Sequence, residues 1–328
     1  SEPAQVPDSP WAPVIQRAVA RDRERRQNSA HTLIRELEDV TLRVEGAEDL
    51  HPYPGLASFT EDDAEYFFGR EAEVELMWRK LEGPPRVVGL AGPSGAGKSS
   101  FLRAGLIATK KPGWSTIIFT PGNDPRVSLR RALITVLEGD SEALRELAAG
   151  DEEATVTAAK RWIERAEHVV VVVDQFEELF TLTTSAEQLR FGTLLGRLVL
   201  EANVFVLLSM RDDFLMACNR QEALRPAISD LTLLDPPTGA NLRRAVVQPA
   251  TKCGYRFEDD ALVEEMLAEV EGERGALPLL AFAAARLWER RDRESGLLTH
   301  EAYQDIGGVG GALAQHAEAT IDRIGSCL

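Results

Sequence analysis

A glycine-rich loop between two apolar segments restricts the possible folds of this chain more than any other feature. Residues 92–99 read GPSGAGKS and fit the pattern GxxxxGK[ST]. A strand is predicted before the loop, over residues 86–91, and a helix after it, over residues 98–107. Glycines let backbone N–H groups turn around a phosphate chain, and the helix directs the positive end of its dipole to the same point. A glycine-rich turn that matched this pattern by chance would not need a strand before it and a helix after it.

The loop pattern predicts which residues bind phosphate and metal. We expect Lys98 to neutralise the β- and γ-phosphates of a nucleotide and Ser99 to place its hydroxyl on Mg²⁺. The predicted phosphate-binding set is the whole loop with the serine that follows it: Gly92, Pro93, Ser94, Gly95, Ala96, Gly97, Lys98, Ser99 and Ser100.

Strands and helices are predicted to alternate after the loop. The predicted strands are 115–119, 169–173 and 204–209, and the predicted helices are 128–137, 155–165 and 186–200. Continuous β-branched runs between helices are typical of parallel strands that are buried on both faces. The chain is therefore predicted to form a doubly wound α/β domain. After Asp235-Pro236-Pro237 we expect no strands, only helices at 239–249, 259–271 and 277–290.

The segment before the loop is predicted to be mostly helical. Apolar residues recur at helical spacing over 11–44, where Asn28 or Ser29 is a possible second helix start. A second helix is predicted over 61–81. Its predicted buried side chains are Val74, Leu76, Met77 and Leu81, and Trp78, Trp162 and Trp288 are also predicted to be core residues.

Composition excludes several classes of protein. The chain has 37 Lys+Arg against 53 Asp+Glu, a formal net charge of −16, so a broad nucleic-acid surface is not expected. No apolar run approaches the roughly 20 residues that cross a bilayer, so no membrane partner is expected. The 3 cysteines are scattered and the 5 histidines are isolated, which predicts neither a disulfide framework nor a histidine metal site. A reducing, cytoplasmic compartment is expected.

An aspartate at the end of an all-valine run is the second chemical signal. Asp174 directly follows Val169–Val173. A carboxylate at the end of a buried strand needs a cation partner, because its desolvation is costly. Downstream of a phosphate loop, this position predicts a Mg²⁺ ligand. The alternative is a helix cap.

The residue after Asp174 is Gln175, where vigorous ATPases related to AAA+ proteins usually have glutamate. An amide can orient a water molecule but cannot accept its proton. Glu177 and Glu178 follow closely and are candidate substitutes, although two acidic residues also suit a charged helix start. The expected consequence is slow hydrolysis.

Arg211 follows the predicted strand 204–209. An arginine at that strand end can reach a γ-phosphate and report its presence. The alternative is a surface arginine paired with Asp212 or Asp213.

Several motifs, in order, resemble those of STAND NTPases, the signal-transduction ATPases with numerous domains. The stretch Phe67-Phe68-Gly69-Arg70-Glu71-Ala72-Glu73 resembles their hhGRExE motif and precedes the phosphate loop, as in that family. The segments DQFEELF (174–180), GALPLL (275–280), LWE (287–289) and GGVGGAL (307–313) are similar to the bacterial "novel STAND" branch.

The resemblance implies further site residues and an ATP/ADP switch. Phe68, Gly69 and Arg70 would line the base and sugar of the nucleotide, and Pro278 would close on adenine from a helical lid. Ala276 stands where relatives often have glycine. Such proteins generally rest as closed ADP-bound monomers. A sensor domain, often WD repeats or another repeat array, releases them to bind ATP and to form homo-oligomers.

The N-terminal stretch resembles a different family. Residues 14–26, followed by Ser29-Ala30, look like the closing helices of a bacterial Ser/Thr protein kinase, in which the residue matching Arg26 is structural. No H-R-D or D-F-G motif occurs in the chain, so a kinase effector is expected only in the parent protein.

These resemblances give the expected domain order. It is a kinase-tail-like helical segment (1–46), a linker with the hhGRExE helix (47–85), a P-loop NTPase α/β domain (86–235), a helical lid (236–296) and the truncated start of a winged helix (297–328). The expected function is a regulatory ATP/ADP switch in a bacterial signalling or defence protein. Two alternatives are a nucleotide-binding scaffold without turnover and a small-molecule P-loop phosphotransferase.

Overall fold

A computed structural model describes residues 9–46, 50–148, 150–273 and 275–314, with the side chains of 42, 45 and 46 left out. The chain divides into two compact units. One is Ser58–Pro237, and the other combines the described residues of Ser1–Ala57 and Thr238–Leu328.

The described α-helices run in chain order from the N-terminal segment to the C-terminal end. They are α1 (Ala12–Ala18), α2 (Ala30–Gly46), α3 (Glu71–Leu81), α4 (Lys98–Ser100, continued by a π-helical Phe101–Ile107), α5 (Pro125–Val136), α6 (Ser141–Ala148), α7 (Glu152–Ile163), α8 (Glu178–Leu182), α9 (Ser185–Ala202), α10 (Leu215–Asn219), α11 (Arg225–Ser229), α12 (Gly239–Lys252), α13 (Asp260–Ala268), α14 (Ala276–Glu289) and α15 (His300–Asp305). Residues 308–314 are also helical. Short 3-10 helices occupy Arg23–Arg25, Glu61–Tyr66, Asp212–Phe214 and Glu222–Leu224.

The unit Ser58–Pro237 is built around a five-stranded parallel sheet. The strands are β1 (Val87–Gly92), β2 (Trp114–Phe119), β3 (His168–Val173), β4 (Phe205–Arg211) and β5 (Leu231–Leu233), in the order β2-β3-β4-β1-β5. All the pairings are parallel, so all the strands end at the same edge. The predicted doubly wound α/β domain is confirmed.

Each face of this sheet packs on its own hydrophobic core, because β-strand side chains alternate between the two faces. Val171, Val206 and Leu208 face one core, which α5, α7 and α9 complete. Val172, Leu90 and Leu207 face the other, with α3 and the helix that follows the phosphate loop. Trp78 and Trp162 are buried in these cores, as the sequence predicts.

The structure corrects three details in this unit. The predicted helix 61–81 is two helices, because Gly69 adopts a left-handed φ of 86° that interrupts it. Leu76 was expected to be buried but is 47% exposed, whereas Val74, Met77 and Leu81 are buried. Strand β5 was not predicted, since three residues are too few to show a period.

The second unit joins the N-terminal segment to the helices α12–α15. Arg43 in α2 donates from Nη1 to the carbonyl of Gly254 at 2.7 Å. The buried Trp288 donates from Nε1 to the carbonyl of Leu50 at 2.9 Å. The Tyr53 ring meets the Trp288 ring edge-on, with centroids 6.1 Å apart. Residues before the phosphate loop and residues after β5 therefore share one core.

The predicted helical stretch 11–44 is α1, a 3-10 turn and α2, and the possible second helix start at Asn28 or Ser29 is confirmed, because α2 begins at Ala30. One expectation for this unit is wrong. Strands do not end at Pro237, since β6 (Arg256–Phe257) and β7 (Leu297–Leu298) pair in parallel. The predicted winged-helix start, 297–328, lies partly outside the described residues. Within the described part of the chain, no helix has both the length and the apolar character needed to cross a membrane.

Candidate functional site

The glycine-rich loop begins at Gly92, the last residue of the buried strand β1, and Gly92 packs closely against Leu234. The Leu234 N–H donates to the Ala91 carbonyl at 2.7 Å, and a Cβ on Gly92 would lie 2.3 Å from the Leu234 carbonyl oxygen. Gly95 and Gly97 have φ values of 80° and 85°, in the left-handed region that favours glycine. A side chain would thus strain the loop at all three positions. This is the backbone geometry of a cradle for phosphate.

Lys98 follows the loop and folds back along it. Its half-buried Nζ donates to the carbonyls of Gly92 at 2.8 Å and Pro93 at 3.0 Å. Burial lowers the pKa of Lys98, and the carboxylates of Glu177, Asp174 and Asp212 partly offset this effect. The lysine is therefore positioned at the carboxyl edge of the sheet among acidic side chains.

The serines of the loop differ in their surroundings. Ser94 is exposed, and Ser99 is half-buried in the first turn of α4. Ser100 accepts a hydrogen bond at its Oγ from the backbone N–H of Phe59 at 3.1 Å. Ser100 therefore fastens the loop helix to the segment that precedes the hhGRExE motif.

Asp174 lies at the end of β3 and is 3% exposed. Its Oδ1 accepts a hydrogen bond from the N–H of Gln175 at 2.9 Å. Gln175 is exposed and has a φ of 50°, a left-handed conformation that is rare for residues other than glycine, asparagine and aspartate. Strain of this kind occurs mainly at functional sites. The turn fixes the carboxylate of Asp174 at the strand end.

Glu177 and Glu178 point to different partners. The Oε2 atom of Glu177 accepts from the backbone N–H of Arg211 at 3.3 Å, and its charge acts on Lys98. The Oε2 atom of Glu178 accepts from the backbone N–H of Gly122 at 2.9 Å. Of the two glutamates, Glu177 is therefore the one in electrostatic contact with the phosphate loop.

Arg211 is the last residue of β4, not a residue after the strand as the sequence predicts. It pairs in register with Gly92, the first loop residue, on the neighbouring strand. Its exposed guanidinium forms two hydrogen bonds with Asp213, from Nε at 3.0 Å and from Nη2 at 2.6 Å. These bonds raise the pKa of Arg211. Asp213 is one of the two partners that the alternative interpretation expected.

Arg70 of the GRE motif has a role that the sequence does not indicate. Its side chain is buried, Nη2 donates to the carbonyls of Ala96 at 3.1 Å and Asp235 at 2.5 Å, and Nη1 donates to Glu73 at 2.9 Å. Arg70 thus ties the phosphate loop to the segment after β5. The acceptors are backbone carbonyls, which leave no pattern in a sequence. Phe68 is half-buried and Gly69 is buried next to it.

The comparisons with known proteins agree with this geometry. The family model described as Novel STAND NTPase 1 matches residues 52–326. The chain belongs to the novel STAND NTPase family. No curated protein sequence matches this STAND NTPase.

Solved structures resemble this STAND NTPase at low sequence identity. The Walker-type ATPase PABY2304 of Pyrococcus abyssi is 16% identical, with 82% of this chain and 76% of that chain covered at a TM-score of 0.56. The ORC2 protein of Aeropyrum pernix, solved as ADPNP–ADP complexes, is 15% identical over 75% and 68% of the two chains, at a TM-score of 0.45. The first of these likenesses shows the P-loop NTPase fold.

The residues of this STAND NTPase fit a magnesium–nucleotide group. Among the described residues, no three His, Cys, Asp or Glu side chains form a metal cluster. Mg²⁺ does not need one, because it is usually held by one or two carboxylates together with phosphate oxygens and water. Ser99 and the buried Asp174 would hold the ion, which would neutralise phosphate charge. Pro278 lies in the first turn of α14, in the other unit, and its contact with adenine remains a prediction.

Proposed function

We propose that this STAND NTPase is a regulatory ATP/ADP switch with slow Mg²⁺-dependent hydrolysis. The observation that carries the proposal is the meeting of three features at one sheet edge. These are the phosphate cradle of Gly92–Ser99, the half-buried Lys98, and the buried carboxylate of Asp174 followed by an amide instead of a carboxylate.

Slow turnover follows from the groups that face the loop. Gln175 cannot take a proton from water, and Glu178 accepts from the backbone N–H of Gly122 at 2.9 Å, a closer contact than the 3.3 Å one that Glu177 makes with Arg211. Glu177 is the candidate base, since it is the glutamate that acts on Lys98. We expect Glu177→Gln to lower turnover about 100-fold. Glu178→Gln, the matched control, should keep turnover within a few-fold of the parent. Equal losses in the two variants would remove Glu177 from this role.

The identity of the bound nucleotide tests the switch itself. We expect the purified chain to release ADP when it is denatured, and Lys98→Ala to bind neither ADP nor ATP. Lys111→Ala is the control, because Lys111 is an exposed lysine of the same unit that pairs with Glu82. Asp174→Ala should still bind nucleotide but no longer respond to Mg²⁺. Binding of Mg-ATP by both Lys98→Ala and Asp174→Ala at the parent's affinity would contradict the proposed site.

Turnover separates the switch from its alternatives. A steady-state rate well below about 10 s⁻¹, the median for enzymes, is expected for a switch. No turnover at all would favour a nucleotide-binding scaffold. Transfer of phosphate to a nucleoside monophosphate would favour a phosphotransferase. Three carboxylates act on Lys98, and this acidic edge is a poor acceptor site for a second anion.

The wider biological role rests on the family resemblance. We infer that ATP binding promotes homo-oligomers and that the parent protein of a bacterium carries sensor and effector domains, with the segment 1–46 as the end of a kinase-like effector. Light scattering of the chain with ADP and with a slowly hydrolysed ATP analogue tests the first point. A monomer in both states would contradict nucleotide-controlled assembly of this chain.

A further inference from the structure

Ser209 is a buried polar residue to which the proposed function assigns no role. It lies in β4 and is fully buried. Its Oγ has no hydrogen-bond partner among the residues that the structure describes. Burying a hydroxyl without a partner destabilises a folded protein, because the group loses its hydrogen bonds to water. A buried hydroxyl of this kind is free to accept a hydrogen bond from a group outside the chain.

The sheet register places Ser209 beside Asp174. Val172 pairs with Leu207 and Val173 with Leu208 on β3 and β4, and Asp174 and Ser209 are the residues that directly follow this last pair. Because side chains alternate, both lie on the face of Val172 and Leu207. The helix that follows the phosphate loop packs on the same face through Phe101. On β1, Ser209 pairs with Leu90, two residues before the loop begins.

We propose that Ser209 is a positioning residue for the metal, resting on the nucleotide–Mg²⁺ site proposed above. Mg²⁺ usually keeps several water ligands, and the protons of those waters need acceptors. The hydroxyl of Ser209 is a buried acceptor on the same face as Asp174, one strand closer to the phosphate loop. Ser209 and Asp174 together orient the hydrated ion, whereas Asp174 alone supplies the charge.

A second buried hydroxyl provides a matched control. Thr232 in β5 also has an Oγ without a partner among the described residues, and it also pairs with Leu90, from the opposite side of β1. The order β3-β4-β1-β5 puts Thr232 two strands further from Asp174 than Ser209 is. The two residues share burial and an unsatisfied hydroxyl, but only Ser209 neighbours the carboxylate.

The test measures Mg²⁺ dependence and stability on the same variants of the full chain. Mg²⁺ is titrated against a fluorescent ADP analogue at fixed concentration, and binding without metal is measured in EDTA. For Ser209→Ala we expect the Mg²⁺ midpoint to rise about 10-fold, since loss of an outer partner of a metal site typically weakens metal affinity 10- to 100-fold. Its nucleotide affinity in EDTA should equal that of the parent. Thr232→Val should leave both quantities unchanged.

Stability without nucleotide distinguishes this role from a structural one. Removing an unpaired buried hydroxyl is expected to leave the metal-free unfolding temperature unchanged or raise it, in both variants. A lower unfolding temperature for Ser209→Ala, or a Mg²⁺ midpoint equal to that of the parent, would overturn the proposal. An equal midpoint shift in Thr232→Val would also overturn it. A parent chain whose nucleotide binding ignores Mg²⁺ would overturn both this inference and the metal part of the proposed function.

Discussion

Arg70 and Arg43 perform similar tasks in the two units. Arg70 joins α3 to Ala96 and Asp235 within Ser58–Pro237, and Arg43 joins α2 to Gly254 in the other unit. Both arginines donate to backbone carbonyls of segments remote in sequence, 165 positions away for Asp235 and 211 for Gly254. They differ in sequence context, because Arg70 belongs to a recognisable motif and Arg43 does not. The sequence therefore marks Arg70 as a residue of interest and does not mark Arg43, but it indicates the carbonyl acceptors of neither.

The largest effect is expected at Arg70. Arg70→Ala removes three hydrogen bonds and leaves Glu73 without its buried partner. We expect a loss of about 3 kcal/mol in the free energy of unfolding, the lower end for breaking a buried ion pair. Hydrogen exchange should rise in Ser58–Pro237 and not in the N-terminal segment.

The control for Arg70 is on the same helix. Arg79→Ala breaks an exposed pair with Glu75, which is expected to cost less than about 1 kcal/mol. Arg70→Lys keeps the charge but cannot span two carbonyls with a planar fork, and an intermediate loss is expected. If urea unfolding gave the same loss for Arg70→Ala and Arg79→Ala, Arg70 would not hold this unit together.

The same contrast shows which features of this chain can be predicted from its sequence and which cannot. The sheet, the phosphate loop and Asp174 are predictable, because buried valine runs and glycine spacing are local patterns. The pairing of β6 with β7 and the docking of α2 beside Gly254 are not, since they depend on backbone groups brought together from distant segments. Arg211 is an intermediate case, because the sequence offers Asp212 and Asp213 as alternative partners but does not tell which of them pairs with it.

Gly254 should give the next largest effect, in the other unit. Its φ is 76°, and an added Cβ would lie 2.4 Å from the carbonyl oxygen of Asp39 in α2. We expect Gly254→Ala to cost about 1–3 kcal/mol from backbone strain, with additional loss from the clash. Nucleotide affinity, measured with the fluorescent ADP analogue, should be unchanged if the two units are stabilised independently.

Gly272 is the control for Gly254, because it has a similar backbone conformation but no close neighbour. It has a φ of 78° but no atom within 4 Å of an added Cβ. Gly272→Ala therefore introduces the strain without the approach to α2. A calorimetric scan should show a smaller loss for Gly272→Ala than for Gly254→Ala. The opposite order would mean that α2 does not press on Gly254 in solution.

Tyr53 offers a smaller test of how the linker is held. Its hydroxyl donates to the carbonyl of Val246 at 2.5 Å and accepts from the N–H of Ala250 at 3.2 Å. These two groups belong to α12 on either side of Pro249, and burial raises the pKa of the phenol, so it stays neutral. Tyr53→Phe should cost about 1–2 kcal/mol, because both helix groups lose a partner. Protection from hydrogen exchange should fall at Ala250 and nearby amides, and unchanged protection would contradict the bridge.

The smallest effect should be a pH dependence at the surface of the same unit. His300 Nε2 lies 3.0 Å from Asp259 Oδ1, and this hydrogen bond raises the pKa of His300 above its usual value. The stabilisation is complete below about pH 6.5, the usual histidine pKa in an unfolded chain, and it is lost as pH rises through the raised pKa. The unfolding temperature of the parent should therefore fall over that interval. His300→Gln should remove this fall of the unfolding temperature with pH. The hydrogen bond from Arg43 to the carbonyl of Gly254 should remain, because a surface pair and a buried carbonyl contact stabilise the unit independently.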